Sequence, residues 1–134
     1  YEGTCKLHYR SLWRQGIAAD VISQDCDFSQ YRLIAAPMLY LLKPGVAARL
    51  KAFVENGGTL VTSYATGYVN ENDLCFLGGF PGDGMMEVTG VWAEEIDSLF
   101  DGQTNSASMD LGKGEKTYEI HDFCERIHPA EDCQ

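Results

Sequence analysis

At 134 residues, 45% of them hydrophobic and 11% aromatic, the chain has the size and apolar content of a single α/β domain over residues 1–134, which excludes a disordered segment. A formal net charge of -10 runs against the clustered Lys and Arg that phosphate backbones require, so no nucleic-acid partner is expected. The longest apolar run, residues 33–42, is interrupted by Pro37 and Tyr40 and is too short to span a bilayer, so no membrane partner is expected either.

Residues 1–15 are predicted to form a helix, with Leu7, Tyr9, Leu12 and Trp13 near helical spacing, Thr4 as N-cap and Gly16 as the stop. Residues 18–23 (AADVIS) read as a short strand and residues 25–29 as a polar break. Residues 32–36 (RLIAA) are nearly all apolar, as in a strand buried on both faces, and Pro37 ends it. Residues 45–56 form the clearest helix, with Val46, Leu50, Phe53 and Val54 on one stripe and Gly57-Gly58 closing it. Residues 59–64 (TLVTSY) are the next strand. A long glycine-rich loop, 65–82, follows; loops of that length are usually functional or packed as a lid. Residues 85–88 are expected as a short helix and 91–96 (VWAEEI) as a strand. Residues 101–114 read as a polar loop and 116–127 as one strand-like stretch.

Strand, crossover helix and strand recur in this order, which favours parallel pairing. The expected fold class is therefore α/β: a three-layer, flavodoxin-like (class I glutamine amidotransferase-like), mostly parallel sheet. Such a domain opens with a strand before its first helix, so the chain is expected to be truncated at both ends. The edge strands left by a missing first strand would then close on each other or be filled by another chain.

Several motifs suggest chemistry and are weaker than they look. Asn70-Glu71 resembles the acid/base dipeptide of retaining glycosidases, but hydrolysis needs two carboxylates about 5 Å apart, and Glu71 stands in a loop. Glu94 and Glu95 are adjacent in a strand and so face opposite ways. Ser63, after the 59–64 strand, lacks the preceding glycine of a nucleophile elbow and has no Cys beside it. Residues 78–84 (GGFPGDG) have no Lys followed by Ser or Thr, so they are no phosphate loop. The five cysteines, Cys5, Cys26, Cys75, Cys124 and Cys133, are odd in number and form no CxxC, as in reduced thiols of a cytoplasmic protein. His121, Cys124, His128 and Cys133 have the chemistry of zinc ligands without the paired short spacing, and strand alternation would split them between faces. No metal and no cofactor are expected, and no catalytic residue is assigned.

Longer stretches carry a resemblance. Residues 9–23 (YRSLWRQGIAADVIS), 31–40 (YRLIAAPMLY), 50–64 (LKAFVENGGTLVTSY), 69–82 (VNENDLCFLGGFPG) and 90–99 (GVWAEEIDSL) resemble the β-galactosidase trimerisation domain of glycoside hydrolase family 42. The likeness is good over 9–99 and faint from 100 onward. The family often follows its Pro-Gly turn with Pro-Leu-Arg, whereas this chain has Asp83-Gly84-Met85-Met86, so no contact by that Arg carries over. The resemblance implies an oligomerisation domain of a hydrolase acting on terminal β-D-galactosides. Its catalytic glutamates would lie in an upstream TIM barrel, and its partners would be that barrel and two further copies in a homotrimer. Leu74, Phe76, Leu77 and Phe80 form an apolar loop face and are the candidate interface residues. The alternative reading is a non-catalytic, amidotransferase-like domain that binds or senses a small molecule at the C-terminal edge of its sheet.

Overall fold

The computed structural model describes residues 1–110 and 112–131. In chain order they form α1 (Glu2–Arg14), β1 (Leu33–Ala36), α2 (Val46–Glu55), β2 (Thr59–Thr62), α3 (Met85–Thr89), β3 (Val91–Ser98), β4 (Asn105–Asp110), β5 (Glu115–Ile120) and β6 (Phe123–Pro129).

The core grows from α2. Val46, Ala47, Leu50 and Phe53 fall on one helical face and are buried, while Val54 points outward, 37% exposed. The helix is stopped by two glycines with separate duties. Gly57 adopts φ 90°, and the Gly57 and Gly58 amides donate to the carbonyls of Val54 and Phe53 at 2.9 Å, closing the last turn. Gly58 lies so close to the Phe53 ring that a Cβ there would overlap it. The double glycine therefore lets the chain turn tightly beneath Phe53 and enter β2 at once.

β2 pairs in parallel with β1, Leu33 opposite Thr59 and Ala36 opposite Thr62. Ile34 and Leu60 pack against the buried cluster of Phe28, Leu42, Val46, Ala47, Leu50, Phe53 and Met85. Met85, wholly buried, brings α3 to the same core, and Lys51 reaches Glu87 at 2.8 Å across the α2–α3 contact. The hydrogen bond between them, and then the attraction of their charges, holds the Glu87 carboxyl below its ordinary value and raises the Lys51 ammonium.

Beyond α3 the chain runs out and back as a β-ribbon. β3 pairs antiparallel with β6, with a register shift between Ala93 and Glu95, and β4 pairs antiparallel with β5. The inner half is fastened to the core module. The Ala93 amide donates to the Phe80 carbonyl at 2.8 Å, the Ala130 amide donates to that of Gly90 at 2.7 Å, and the Phe123 ring lies 5.8 Å from that of Tyr64. The outer half, β4–β5, packs on itself and on no other element to a comparable extent.

Several expectations change. The described residues are a mixed α/β domain with three separate two-stranded sheets, one of them parallel, rather than a continuous parallel sheet. Residues 18–23 have no ladder partner and form no strand, although Ile22 still packs on the core. Their neighbourhood is held by side chains instead. The Arg49 guanidinium donates to the carbonyls of Cys26 (2.9 Å) and Gln24 while covering the Phe28 ring, and the Gln24 amide donates to the Leu41 carbonyl at 2.8 Å. Residues 101–114 contain β4, and 116–127 hold parts of two strands, β5 and β6, divided at His121-Asp122. The left-handed backbone of Asp122, φ 70°, makes that division. Finally, α1 starts at Glu2 with Tyr1 at its N-cap, so Thr4 lies inside the helix and caps nothing.

Replacing Phe53 by Ala should cost about 3–5 kcal/mol, since the ring fills the space between α2 and Gly58. Urea unfolding of the two proteins measures it, and a loss below about 1 kcal/mol would show the ring to be peripheral.

Candidate interaction surfaces

The C-terminal ends of parallel strands are where open α/β sheets usually place ligands. Here that edge is formed by the turns after β1 and β2, which contain Met38 at φ 48° and Ala65 at φ 56°. Ser63 ties them together. Its hydroxyl accepts from the Met38 amide at 2.8 Å, and the buried Thr66 hydroxyl donates to the Ser63 carbonyl at 2.7 Å. Ser63 is thus engaged as a structural acceptor at the place where a nucleophile would stand.

A carboxylate from the ribbon completes this edge. Glu125, on β6, accepts from the Ala65 amide at 2.7 Å and from the Tyr68 hydroxyl. The Tyr68 ring packs against Phe80 at 4.6 Å and Tyr40 at 5.8 Å. Burial first, and then the bond to Glu125, push the Tyr68 phenol well above the ordinary tyrosine value. The strand ends are therefore occupied by the protein's own side chains. Nothing in residues 59–70 signals that Glu125, sixty positions from Ala65, would arrive there.

The long loop is tightly organised. Val69 bridges both Leu41 and Cys75, and the Asn70 side-chain oxygen accepts from the amides of Asn72 (2.9 Å) and Leu74 (3.1 Å). Asn70 therefore shapes a turn, and Glu71 is exposed on it. The four interface candidates divide. Leu74 and Leu77 stand in solvent, Leu77 at 99% exposure. Phe76 packs on the core and against the Gly82 backbone, and Phe80 rests on Tyr68. Gly79 and Gly84 take positive φ within this glycine-rich stretch, which turns the chain into α3.

The remaining candidates are scattered. Glu94, beside the irregularity in β3, meets His128 at 2.7 Å and Arg126 at 3.3 Å, whereas Glu95 is the register partner of Arg126. His128 also stacks on Trp92 with ring centroids 4.5 Å apart. His121 meets Glu119 at 2.9 Å, and Cys124 accepts from the Asn105 amide at 3.7 Å. Cys124 and His128 share a face of β6, but four residues of strand separate them by about 13 Å, too far to share one ion. Cys133 lies outside the described residues. Among the described residues no group of three His, Cys, Asp or Glu side chains converges as a metal site. No helix there is long and apolar enough to cross a membrane.

Comparison with known proteins supplies what the geometry alone does not. A family model described as the β-galactosidase trimerisation domain matches residues 1–132. The chain is 54% identical over 133 residues to β-galactosidase Pbg of Clostridium perfringens, covering 96% of this chain and 19% of that protein. It is 50% identical over 131 residues to β-galactosidase BglY of Alicyclobacillus acidocaldarius, covering 96% and 19%. Among solved structures it is similar to the β-galactosidase from Rahnella sp. R3, with a TM-score of 0.86 and 52% identity over 91% of this chain and 18% of that one. The β-galactosidase from Bacillus circulans gives a TM-score of 0.85 at 44% identity, again over 91% and 18%. The chain thus spans about a fifth of the length of the curated relatives it matches.

Glu125→Gln should bring the Tyr68 ionisation down toward the ordinary tyrosine range while burial keeps part of the shift. Because the folded value is raised, the stability it contributes is present below about pH 10 and is lost as pH rises toward the folded value. A Tyr68 ring signal followed by NMR through alkaline pH reads this directly; identical curves for both proteins would remove Glu125 as a cause.

Proposed function

The chain belongs to the β-galactosidase trimerisation domain family, and on that premise we propose that it is the non-catalytic assembly domain of a trimeric enzyme hydrolysing terminal β-D-galactosides. The family match over residues 1–132 carries this reading, and the solved β-galactosidases of high likeness support it. The catalytic glutamates lie in this proposal on an upstream TIM barrel. The site chemistry agrees with that division of labour: Ser63 and Asn70 serve the backbone, and Glu94 is engaged by His128 and Arg126.

The finer architecture also belongs to this proposal. β1 is entirely apolar yet, among the described residues, has a ladder on one side only, and Leu33 and Val61 remain more than 40% exposed. A preceding strand laid on the free edge of β1 would extend the parallel pair toward the three-layer, flavodoxin-like sheet, with residues 1–134 as one domain. α1, which buries no residue within the chain, would then pack as the connection from that strand. The loop bearing Leu74, Phe76, Leu77 and Phe80 is a subunit contact in which Leu74 and Leu77 reach the neighbour and the two phenylalanines hold the loop in shape. The free thiols of Cys5, Cys26, Cys75 and Cys124 suit a cytoplasmic enzyme.

The isolated 134-residue chain should leave a chromogenic β-galactoside intact, whereas the full-length protein carrying it should hydrolyse it. Leu74→Asp with Leu77→Asp should lower the trimer mass of that full-length protein in sedimentation. Turnover by the isolated chain that disappears in Glu71→Gln would overturn the division of labour.

A further inference from the structure

Asn56, Gly57 and Gly58 join α2 to β2, and the first two of them are a chemically reactive pair. The backbone nitrogen that follows an asparagine can attack the carboxamide of that asparagine, and a glycine there places no Cβ in the way. Asparagine stands at positions 56, 70, 72 and 105, followed by Gly57, Glu71, Asp73 and Ser106. Asn56 alone precedes a glycine, and both members of that pair are exposed.

The native turn holds the reacting atoms apart. Asn56 takes φ -83° and ψ 11°. Ring closure needs the Asn56 Cβ and the Gly57 nitrogen eclipsed about the bond between Cα and the carbonyl carbon, and this ψ keeps them far from it. The Asn56 side-chain amide donates to the Ala52 carbonyl at 2.8 Å, which turns the carboxamide back along the helix. The Gly57 amide donates to the Val54 carbonyl at 2.9 Å, so the nitrogen that would attack has its proton engaged. Beyond the pair the chain has no slack. The Gly58 amide donates to the Phe53 carbonyl at 2.9 Å, and a Cβ on Gly58 would lie 2.3 Å from the Phe53 ring. The Thr59 amide then donates to the Arg32 carbonyl at 2.9 Å, where the pairing of β2 with β1 begins.

We infer that Asn56-Gly57 is a latent deamidation site, silent in the folded turn and released when the last turn of α2 opens. In the opened chain the Gly57 nitrogen gives its proton to water or hydroxide and bonds to the Asn56 Cγ. The bond between Cγ and Nδ2 breaks, and that nitrogen leaves as ammonia. Water then opens the cyclic imide. Cleavage between the Gly57 nitrogen and Cγ leaves an ordinary aspartate. Cleavage between the Gly57 nitrogen and the main-chain carbonyl carbon leaves an isoaspartate, whose main chain runs through Cβ and Cγ and is one atom longer. The added methylene falls between the end of α2 and Gly58, where the Phe53 ring leaves no space to absorb it. One opening of the turn is thereby made permanent, at the point where β2 is launched.

The full-length protein carrying this chain tests it, held at mildly alkaline pH in buffer, in urea near the unfolding midpoint and in urea well above it. Mass spectrometry of the peptides spanning the four asparagines reads the conversion and separates aspartate from isoaspartate. In the unfolded chain Asn56 should convert at least roughly tenfold faster than Asn70, Asn72 or Asn105, because glycine leaves the attacking nitrogen unhindered. In the folded protein Asn56 should convert at least roughly tenfold more slowly than in the unfolded one, because the reaction draws on the opened population alone. Phe53→Leu, which loosens the seat of the turn, should speed the reaction in buffer. After urea is removed from the midpoint sample, the native fraction from size exclusion should hold aspartate at 56 and little isoaspartate, which should collect in the misfolded fraction. Equal conversion of all four asparagines in the unfolded chain overturns the site. Equal rates at Asn56 with and without urea, or an unchanged rate in Phe53→Leu, overturn its control by the turn. Equal shares of aspartate and isoaspartate in the two fractions overturn the structural consequence.

Discussion

The packing of α2 on the parallel pair β1–β2 is the contact from which the rest of the domain hangs. Phe53 sits between the helix and Gly58, and the absence of a side chain at Gly58 lets β2 begin directly beneath that ring. From this point the chain is positioned outward in both directions. β2 sets the turn that holds Ser63 and Ala65, Ala65 receives Glu125, and Glu125 fixes the inner half of the ribbon. Met85 anchors the other end of the long loop in the same cluster. A chain of single contacts, rather than one broad sheet, therefore carries order from the core to the ribbon.

The core itself is small for so many large apolar side chains. Among the described residues eight hydrophobic side chains are buried, while Trp13 on the helix, Val21 after it, Leu33 at the sheet edge and Leu77 in the loop lie open to water, Val21 at 86% exposure. Apolar surface left in water forfeits roughly 25 cal/mol per Å² that burial would return. In the proposed reading, exposure of this extent on α1, β1 and the loop marks the surfaces that neighbours would cover. It agrees with a chain that covers about a fifth of its relatives' length.

What was legible in the sequence followed local rules. The helical stripe Val46, Leu50, Phe53, the double-glycine stop and the parallel pairing of the two flanking strands all emerge from spacing and glycine chemistry within one stretch. The short α3 after Gly84 was legible for the same reason. Residues 18–23 misled because propensity reports suitability for a strand, while a strand exists only when a partner supplies its ladder. Residues 101–114 misled in the opposite sense. Their glycines and polar residues concealed the alternation of Ala107 and Met109 with Ser106 and Ser108, which the matching Tyr118 and Ile120 across the turn could have revealed. The clasp of Glu125 on Ala65 and Tyr68 joins residues about sixty positions apart, and no local pattern encodes it. The loop candidates show a similar limit: composition marked Leu74, Phe76, Leu77 and Phe80 as apolar, and only packing separates the outward leucines from the inward phenylalanines.

Hydrogen exchange compared between the isolated chain and the full-length protein tests most directly whether neighbours complete this domain. The amides of α2 should exchange slowly in both, because the Phe53 core is internal. Those of α1 and of β4–β5 should exchange rapidly in the isolated chain and become strongly protected in the full-length protein. Equal exchange of α1 and β4–β5 in the two proteins would contradict it, since those elements would then be as complete alone as in their natural setting.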